Sequence, residues 1–343
     1  MNRRNFLKGI ILGTGLTLIN PTTLTDLVDT PLSNPSPQFI WNPEYSFKWM
    51  EKFPYNKIAE SHISPVKKFE QLYNDLIQKE VTEKKDFSQS TPLTEQDFLA
   101  IHSSNYLQKL EHLAQSLSGL FNGENPINKQ ILAFAKTSCA GTYQAAKAAL
   151  ETGKGMNLSG GFHHAFPGHE EGFCYLNDIA ITIKKLQKEG KIKKAMIVDC
   201  DVHHGNGSAH IFEQDPSVFT FDLYQSDNYP YEKIKTDVAI ALDSREYIDD
   251  SRYLEELKKT LEPAIELFQP DLIFYLNGAD PLETDLLGGF FLTHGGMKER
   301  DHHVLSLTEK LGIPTAVVLA GGYSPKIEDV VKVHYNCAKL IKN

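Results

Sequence analysis

A short stretch, VDCDVHHG at residues 198 to 205, carries two carboxylates and two imidazoles directly after the apolar run KAMIV. In an extended strand successive side chains alternate between faces, so Asp199, Asp201 and His203 are predicted to point the same way. Burying unpaired charge is costly, and three such groups at one place need a counter-charge. Carboxylate and neutral imidazole are both good metal ligands. The stretch therefore predicts a metal site.

Three other apolar runs also end in polar side chains. NLSGG leads into FHHAFPGHEEGFCYLND with His163 and His164, FYLNGAD ends at Asp280, and VVLAGGY ends at Tyr323. In open parallel sheets, ligands collect at the carboxyl ends of the strands. Four strand ends that supply His, Asp and Tyr therefore predict one shared site at that edge, and a structural coincidence is a poor explanation of all four.

The elements that position these residues alternate along the chain. From about residue 38 onward, short β-branched runs alternate with helical patterns, including predicted helices over residues 60–79, 104–115 and 128–153. The predicted strands are AMIVDCD, VFTFDL, LIFYLNGAD and TAVVLAGGY, and their apolar runs suit burial on both faces. This pattern predicts an α/β fold with a parallel sheet and helices on both faces. No internal repeat and no second domain boundary is visible.

Composition excludes several classes of protein. The chain has 343 residues and a formal net charge of -9, with no basic run beyond its first residues. Nucleic acid is therefore not an expected partner. The four cysteines, Cys139, Cys174, Cys200 and Cys337, lack CxxC spacing and are predicted to be mostly free thiols. The oligomeric state is not predicted by anything in the sequence.

The first 37 residues are predicted to be separate from the catalytic domain, which we place at residues 38–343. Arg3 and Arg4 precede Phe-Leu-Lys and a mildly apolar segment from Gly9 to Ile19. The segment is too short for a stable membrane span, and the order is typical of a twin-arginine export signal. A Pro-rich linker follows, without an Ala-x-Ala cleavage site. We therefore expect a periplasmic or secreted protein. The alternative is that the arginines begin an amphipathic helix, and the protein would then be cytoplasmic.

The four strand-end segments resemble a known family. GGFHHAFPGHEEGFCYLND, IVDCDVHHGNG, YLNGADPLETDLLGG and VLAGGY are similar, in order and spacing, to the zinc-dependent histone deacetylases and their bacterial relatives. The resemblance runs from about residue 38 to the end and implies the three-layer arginase-deacetylase fold. Within the family, FDLYQSDNYP and GADPLETDLLGGFFLT look most like class IV deacetylases.

The resemblance implies a role for each polar residue at the site. One catalytic Zn²⁺ would be held by Asp201, His203 and Asp280, leaving room for water and substrate. Two carboxylate ligands lower the Lewis acidity of the metal, so its water needs a nearby base. His164 would be that base, and His163, hydrogen-bonded to Asp199, would support the transition state. Tyr323 would donate its hydroxyl to the developing oxyanion; the alternative is a tyrosine that packs at a strand end.

The same resemblance implies a substrate tunnel and a second ion. Phe173, after Gly172, and Tyr229 would wall a narrow tunnel for the aliphatic stem of acyl-lysine, and Leu287 would help to close it. A structural K⁺ would be held by Asp199, Asp201, His203, Asp222 and Leu223. The alternative for Asp222 is a structural carboxylate that caps a turn. His204 is predicted to be a hydrogen-bonded residue at the start of the next helix, without a ligand role.

Two departures from the class I pattern limit what the resemblance carries. Ser104 stands where class I enzymes have a rim Asp that clamps the substrate backbone, so peptide-sequence recognition is in doubt. Asn206 stands where class I has an Asp behind the second His of the pair. An amide does not stabilise imidazolium as a carboxylate does, so the acidity of His164 should differ. Both departures agree with the class IV interpretation.

Several functions remain open from the sequence. The leading prediction is a hydrolase that removes acetyl or long-chain fatty acyl groups, or both, from lysine amines of proteins or peptides through metal-activated water. An acetylpolyamine deacetylase shares every catalytic residue, but would be expected to show an acidic gate and a dimer-forming insertion, which the sequence does not identify. Arginase-like chemistry is disfavoured because DVHHG has His204 and Gly205 where further Asp ligands would be needed. A non-catalytic acyl-lysine-binding protein is the remaining alternative.

Overall fold

The structure is a computed structural model that describes residues 37–48 and 66–342. The predicted export segment therefore lies outside the described residues, as does the first part of the helix predicted over 60–79. Within the described residues, no helix is both long and apolar enough to cross a bilayer.

Eight parallel strands form one sheet in the order β2-β1-β3-β8-β7-β4-β5-β6 within the described residues. Their bounds are β1 Phe39–Ile40, β2 Phe87–Ser88, β3 Lys154–Asn157, β4 Ala195–Asp199, β5 Val218–Gln225, β6 Val238–Leu242, β7 Leu272–Leu276 and β8 Thr315–Val318. The helices around the sheet are α1 Lys68–Gln78, α2 Glu95–Leu99, α3 Ser104–Ala114, α4 Lys129–Thr152, α5 Asp178–Lys188, α6 Asn206–Phe212, α7 Asp250–Phe268, α8 His294–Lys310 and α9 Ile327–Lys342.

Both faces of the sheet are covered, as the two-sided apolar strands predict. In β4, Met196 and Val198 belong to a core shared with α1, α7, α8 and α9. Ala195 and Ile197 belong to a second core, which includes residues of α4 and α5. This is the alternation that a strand buried on both sides requires. The predicted α/β class and its three layers are confirmed.

Three predictions about single elements were incomplete or wrong. The two edge strands β2 and β6 were not predicted. The sequence of β6, VAIAL, is apolar throughout, but its two exposed residues are alanines, which have low β-propensity and weaken the strand signal. The helix expected from residue 60 begins at Lys68 among the described residues. The strands predicted as AMIVDCD, LIFYLNGAD and TAVVLAGGY end at Asp199, Leu276 and Val318, which is two, four and five residues early.

The register of β4 with its neighbours brings three strand ends together. Asp199 is paired with Asp222 of β5 on one side and with Leu276 of β7 on the other. The loops that follow β4 and β7 therefore leave the sheet side by side. They carry the predicted metal ligands, while the loop after β8 carries Tyr323 from the next strand over.

Candidate active site

The predicted geometry of the VDCDVHHG stretch needs a correction, because Asp201 and His203 lie in a loop and not on a strand face. The side chain of Asp199 accepts a hydrogen bond from the Asp201 N–H, at 3.1 Å. That of Asp201 accepts one from the His203 N–H, at 2.9 Å. Aspartates commonly bond the backbone two residues onward and so draw the chain out of an extended conformation. Two such turns in succession keep the three side chains close together.

Asp201, His203 and Asp280 form a buried group that could hold a metal ion. Their potential ligand atoms lie within 4.8 Å of one another. His203 Nδ1 is 3.0 Å from Asp201 Oδ1 and 3.2 Å from Asp280 Oδ2. Backbone N–H groups orient both carboxylates, that of Gly321 on Asp201 and that of Val202 on Asp280. A mixed set of one imidazole and two carboxylates suits a catalytic zinc, which keeps an open position.

The charges of this group call for a cation. Burial and the neighbouring Asp201 carboxylate raise the pKa of Asp280 to about 7. Burial also raises the pKa of Asp199 to about 6, although the adjacent His163 opposes this shift. Carboxylates that cannot all ionise next to one another become fully charged when a divalent ion lies between them. The residues present therefore fit a zinc ion.

His163 and His164 lie side by side above this group, with ring centroids 4.1 Å apart. The Nδ1 of His163 is 2.7 Å from Asp199 Oδ2, and that of His164 is 2.7 Å from Asn206 Oδ1. Burial opposes protonation of His163, but Asp199 and Asp201 outweigh it and raise its pKa to about 9. Burial and the two neighbouring histidines lower the pKa of His164 well below its usual value. The two shifts are opposite: they favour the protonated form of His163 and the neutral form of His164, which can accept a proton.

The loop that carries the histidine pair is held by Asp178, a residue that the sequence did not single out. Its carboxylate accepts hydrogen bonds from the N–H groups of Gly161 and Phe162, at 3.0 and 2.8 Å. Thr142 of α4 donates a third, at 2.6 Å. Asp178 is fully buried at the start of α5. The position of the pair therefore depends on a carboxylate fourteen or more residues away in the chain.

An entrance cavity of about 210 Å³ reaches His164 of the histidine pair and His203 of the metal group. The cavity is lined by all four residues predicted to bind substrate, Gly172, Phe173, Tyr229 and Leu287. His164, His203 and Tyr323 also line it. The Tyr229 ring centroid lies 5.2 Å from that of His164, and the Phe173 centroid lies 6.0 Å from that of Tyr323. The aromatic walls and the polar floor thus form one slot.

Tyr323 is placed at the floor of this slot, with its ring centroid 6.1 Å from that of His203. Burial and the charges of Asp201 and Asp280 raise its pKa well above the usual value, which keeps the hydroxyl protonated and able to donate. Its backbone N–H donates to Asp285, whose other oxygen accepts from the N–H groups of Leu287 and Gly288. Asp285, in the turn PLETD, therefore joins the Tyr323 loop to the tunnel wall.

Asp222 and Leu223 lie in β5 beneath the metal group, where the second ion was predicted. One oxygen of Asp222 is bonded by His204 Nδ1, at 2.5 Å, and by the Gly205 N–H, at 3.0 Å. Its other oxygen, Oδ1, is buried and has no hydrogen-bond partner. His204 is fully buried and also accepts from the Ile234 N–H, which agrees with the hydrogen-bonding role predicted for it. The unpartnered oxygen fits a K⁺ ion.

Behind the slot lies an inner cavity of about 120 Å³, which shares His164, Gly172, Phe173 and Tyr323 with the entrance cavity. Its lining includes four further phenylalanines, Phe47, Phe69, Phe134 and Phe162. Lys68 also lines it. Lys68 donates to the carbonyls of Ala320 and Gly321, and burial lowers its pKa to about 8. Lys68 was not predicted, because a single lysine at the start of a helix carries no sequence signal.

Comparisons with known proteins agree with this geometry. A family described as "Histone deacetylase domain" matches residues 62–337. The chain belongs to the histone deacetylase family. It is a hydrolase that acts on amides, and the family is generally zinc-dependent. The family predicted from the four strand-end segments is thus confirmed.

Individual relatives cover most of the chain. An uncharacterised protein of Picosynechococcus sp. is 37% identical over 301 residues, which cover 86% of this chain and 95% of that protein. Histone deacetylase 2 of Arabidopsis thaliana is 28% identical over 302 residues, covering 86% of this chain and 76% of that protein. The acetoin utilization protein AcuC of Staphylococcus aureus is 29% identical over 250 residues, with coverages of 67% and 64%.

The fold also matches a solved structure. The HD domain of HDA15 superposes with a TM-score of 0.76 and 22% sequence identity, covering 90% of this chain and 89% of that one. At this level of identity the match concerns the fold. The eight-stranded parallel sheet with surrounding helices is therefore the deacetylase fold.

A further buried residue of this deacetylase supports both metal-ligand loops, and sequence reasoning missed it. Arg300 of α8 is fully buried and donates to the carbonyls of Cys200 and Gly278, at 3.2 and 2.7 Å. These residues precede Asp201 and Asp280 by one and two positions. Arg300 also pairs with the adjacent Asp301. The adjacent charges of Arg300 and Asp301 were the sequence signal that could have identified this residue. Charged side chains are rarely fully buried unless they are paired.

Proposed function

We propose that this deacetylase removes acyl groups from the side-chain amine of lysine in proteins or peptides. The observation that carries the proposal is the slot itself. Phe173 and Tyr229 line the entrance cavity, and the same cavity is lined by His164, Tyr323 and the metal-group residue His203. An extended aliphatic stem with an amide at its end is the shape that reaches such a floor.

The residues at the floor supply the steps of amide hydrolysis. Zinc, when bound to Asp201, His203 and Asp280, would polarise the amide carbonyl and make a nearby water more acidic. Neutral His164 takes the proton of the attacking water and returns it to the nitrogen of the leaving amine. Cationic His163 and the hydroxyl of Tyr323 stabilise the negative charge on the former carbonyl oxygen. The products are a carboxylate and a free amine.

The test compares one lysine peptide acylated with chains from acetyl to myristoyl. Wild-type protein loaded with zinc should release the acyl group from at least one member of the series. His164→Ala and Tyr323→Phe should reduce turnover by roughly a hundredfold or more while zinc remains bound. Full activity in both variants would contradict the mechanism, and peptide binding without turnover in the wild type would favour the non-catalytic alternative.

We infer that the acyl group extends into the inner cavity, so that acetyl and longer fatty chains are both candidates. The support is the lining, in which Phe47, Phe69, Phe134 and Phe162 present apolar surface next to His164. Apolar surface of this kind gains free energy for every methylene that it removes from water. Turnover of acetyl-lysine alone would refute the extension, and a rise with chain length would support it.

A small acylated amine is the second candidate substrate, because the mouth of the slot is acidic. Glu124 lines the entrance cavity and accepts a hydrogen bond from the Gly172 N–H, at 3.0 Å. The Tyr229 hydroxyl lies 3.4 Å from the same carboxylate oxygen. A carboxylate there would attract a second ammonium group on a polyamine. Acetylputrescine belongs in the same panel, and a preference for it over every peptide would overturn the lysine assignment.

The second ion that we propose is K⁺, held by Asp199, Asp201, His203, Asp222 and Leu223. Its support is the buried, unpartnered Oδ1 of Asp222. Thermal unfolding should occur at a higher temperature in potassium chloride than in choline chloride at the same ionic strength, because only the smaller cation fits. Asp222→Asn should reduce this difference, and equal unfolding temperatures in both salts for the wild type would refute the site.

We also propose a class IV-like enzyme that is exported by the twin-arginine route. Ser104 and Asn206, which differ from the class I pattern, support the class, and the order Arg3, Arg4, Phe, Leu, Lys supports export. Replacing Arg3 and Arg4 by lysine should retain the protein in the cytoplasm, as measured by cell fractionation. An unchanged distribution would remove the export proposal and leave the catalytic one intact.

A further inference from the structure

The side chain of Asn206 lies between His164 and a carboxylate that no motif identified. Asn206 Oδ1 is 2.7 Å from His164 Nδ1, and Asn206 Nδ2 donates to Glu171 Oε1 at 2.6 Å. The hydroxyl of Tyr229 donates to the same oxygen of Glu171, at 3.1 Å. A carboxylate, that of Glu171, therefore does lie behind His164. The amide of Asn206 separates the two, whereas in a direct His–Asp pair the carboxylate contacts the imidazole.

The carboxylate determines how the amide is turned. Glu171 can only accept hydrogen bonds, so the group of Asn206 that faces it must be the NH₂. The amide oxygen then faces His164, and the Gly207 N–H, which donates to the same oxygen at 3.0 Å, agrees with this orientation. An oxygen opposite Nδ1 requires that Nδ1 of His164 carries the proton. The lone pair of the neutral ring is then on Nε2.

The backbone around Glu171 holds the carboxylate in place. Glu171 and Cys174 exchange two backbone hydrogen bonds, at 3.1 and 2.8 Å, across a tight turn formed by Gly172 and Phe173. The turn packs directly against the base, because a Cβ on Gly172 would lie 2.4 Å from the ring of His164. The side chain of Glu171 is only 25% exposed. Its position is thus tied to that of the imidazole.

We propose that Glu171 is a positioning residue for His164 and acts through Asn206. Its charge polarises the amide, so that the amide oxygen accepts more strongly from Nδ1 and supports the positive charge that the ring acquires when it takes a proton. The inference rests on the proposed role of His164 as the base. It also identifies the role of Asn206, which takes the place of a class I carboxylate and transmits the effect of Glu171.

A merely structural role for Glu171, holding the tunnel wall through Tyr229, makes different predictions. Loss of a wall contact would raise KM and leave the electronic state of His164 unchanged. Loss of the positioning effect would lower kcat with little change in KM. Glu171→Gln separates the two, because glutamine retains the size and an acceptor oxygen for Tyr229 but removes the charge.

The experiment uses the zinc-loaded protein and four variants. Glu171→Gln should lower kcat roughly tenfold to a hundredfold, the range typical of lost orienting partners. Asn206→Asp alone should also lower kcat, because it places a second carboxylate 2.6 Å from Glu171. The double variant Glu171→Gln/Asn206→Asp should regain activity relative to either single variant, because one carboxylate then faces His164 directly.

Glu170→Gln is the matched control, since Glu170 is adjacent in the chain but pairs with Lys109 and Asn122 instead. Its kcat should equal that of the wild type. If Glu171→Gln behaves like Glu170→Gln, or if the double variant is no better than the worse single variant, the proposal is refuted.

A spectroscopic readout tests the same inference without turnover. In protein with ¹⁵N-labelled histidine, the His164 signals, assigned by their loss in His164→Ala, should show a proton on Nδ1 in the wild type. In Glu171→Gln the Nδ1 proton should resonate upfield, because its acceptor is less polarised. A proton on Nε2 in the wild type, or an unchanged resonance in the variant, would overturn the proposal. An inactive wild type would instead refute the proposed function, and the spectra would still decide the role of Glu171.

Discussion

Arg300 should be one of the most sensitive positions outside the cavity, because one fully buried cation supports both loops that carry metal ligands. Its Nη1 donates to the carbonyls of Cys200 and Gly278, and its Nε donates to Asp301 Oδ1 at 2.9 Å. The carboxylate of Asp301 also accepts from Tyr275 and Asn277, each at 2.7 Å. Both members of the pair have no exposed side-chain surface, so solvent does not screen them.

The magnitude follows from what each substitution leaves behind. Arg300→Met would leave the Asp301 charge uncompensated and two buried carbonyls without a donor, which should cost about 3–5 kcal/mol of unfolding free energy. Asp301→Asn would leave the guanidinium charge uncompensated and should cost a similar amount. The double variant removes both charges and keeps an acceptor for Tyr275 and Asn277. We expect it to lose less than the sum of the single variants, by about 2–3 kcal/mol.

The assay is urea unfolding, with zinc in excess, of the wild type, the two single variants, the double variant and Arg300→Lys. Competition for zinc by a chromophoric chelator measures zinc binding in the same proteins. Arg300→Met should also weaken zinc binding, because the loops of Asp201 and Asp280 lose their common support. Arg300→Lys keeps the charge but cannot donate in a fork, so its losses should be intermediate. Single-variant losses that add to the double-variant loss within about 0.5 kcal/mol would refute the reasoning, since the pair would then not be coupled.

Two further predictions concern a histidine and a glycine. Burial lowers the pKa of His102 from 6.5 to about 4, so between these values the unfolded chain binds the proton and the folded chain does not. Stability is therefore lost as the pH falls below 6.5, by about 2 kcal/mol at pH 5. Urea unfolding at about pH 7 and about pH 5 should show this loss of stability in the wild type and not in His102→Gln. An equal loss in both proteins would contradict the prediction. Gly172→Ala should lower kcat at least tenfold, because φ is 51° and the new Cβ would lie 2.4 Å from the ring of His164. Gly190→Ala is the control, because Gly190 also has a positive φ, 68°, but has open space around its Cβ position. This variant should lose only about 1 kcal/mol of unfolding free energy. Equal kcat values in Gly172→Ala and Gly190→Ala would refute the steric argument.

Local patterns in the sequence were sufficient for the class of fold and for naming the side chains that meet at one edge of the sheet. The central strands are buried on both faces, so their apolar runs are continuous and easily recognised. The edge strand β6 was missed because two of its five residues are alanines, which have low β-propensity. Asp201 and His203 were placed correctly at a strand end but wrongly on a strand face, because side-chain turns at Asp199 and Asp201 bend the loop.

The sequence by itself determined which side chains would meet at the carboxyl edge of the sheet, because parallel strands deliver their ends to one place whatever the details of the helices. Only the tertiary structure decided what supports them. Lys68, Arg300 and Glu171 reach the site from a distant helix or across a turn, and the sequence patterns assigned none of them a role there. Their roles depend on contacts with backbone carbonyls and with one amide. Such contacts follow from packing distances of a few ångströms, which residue types and spacing do not encode.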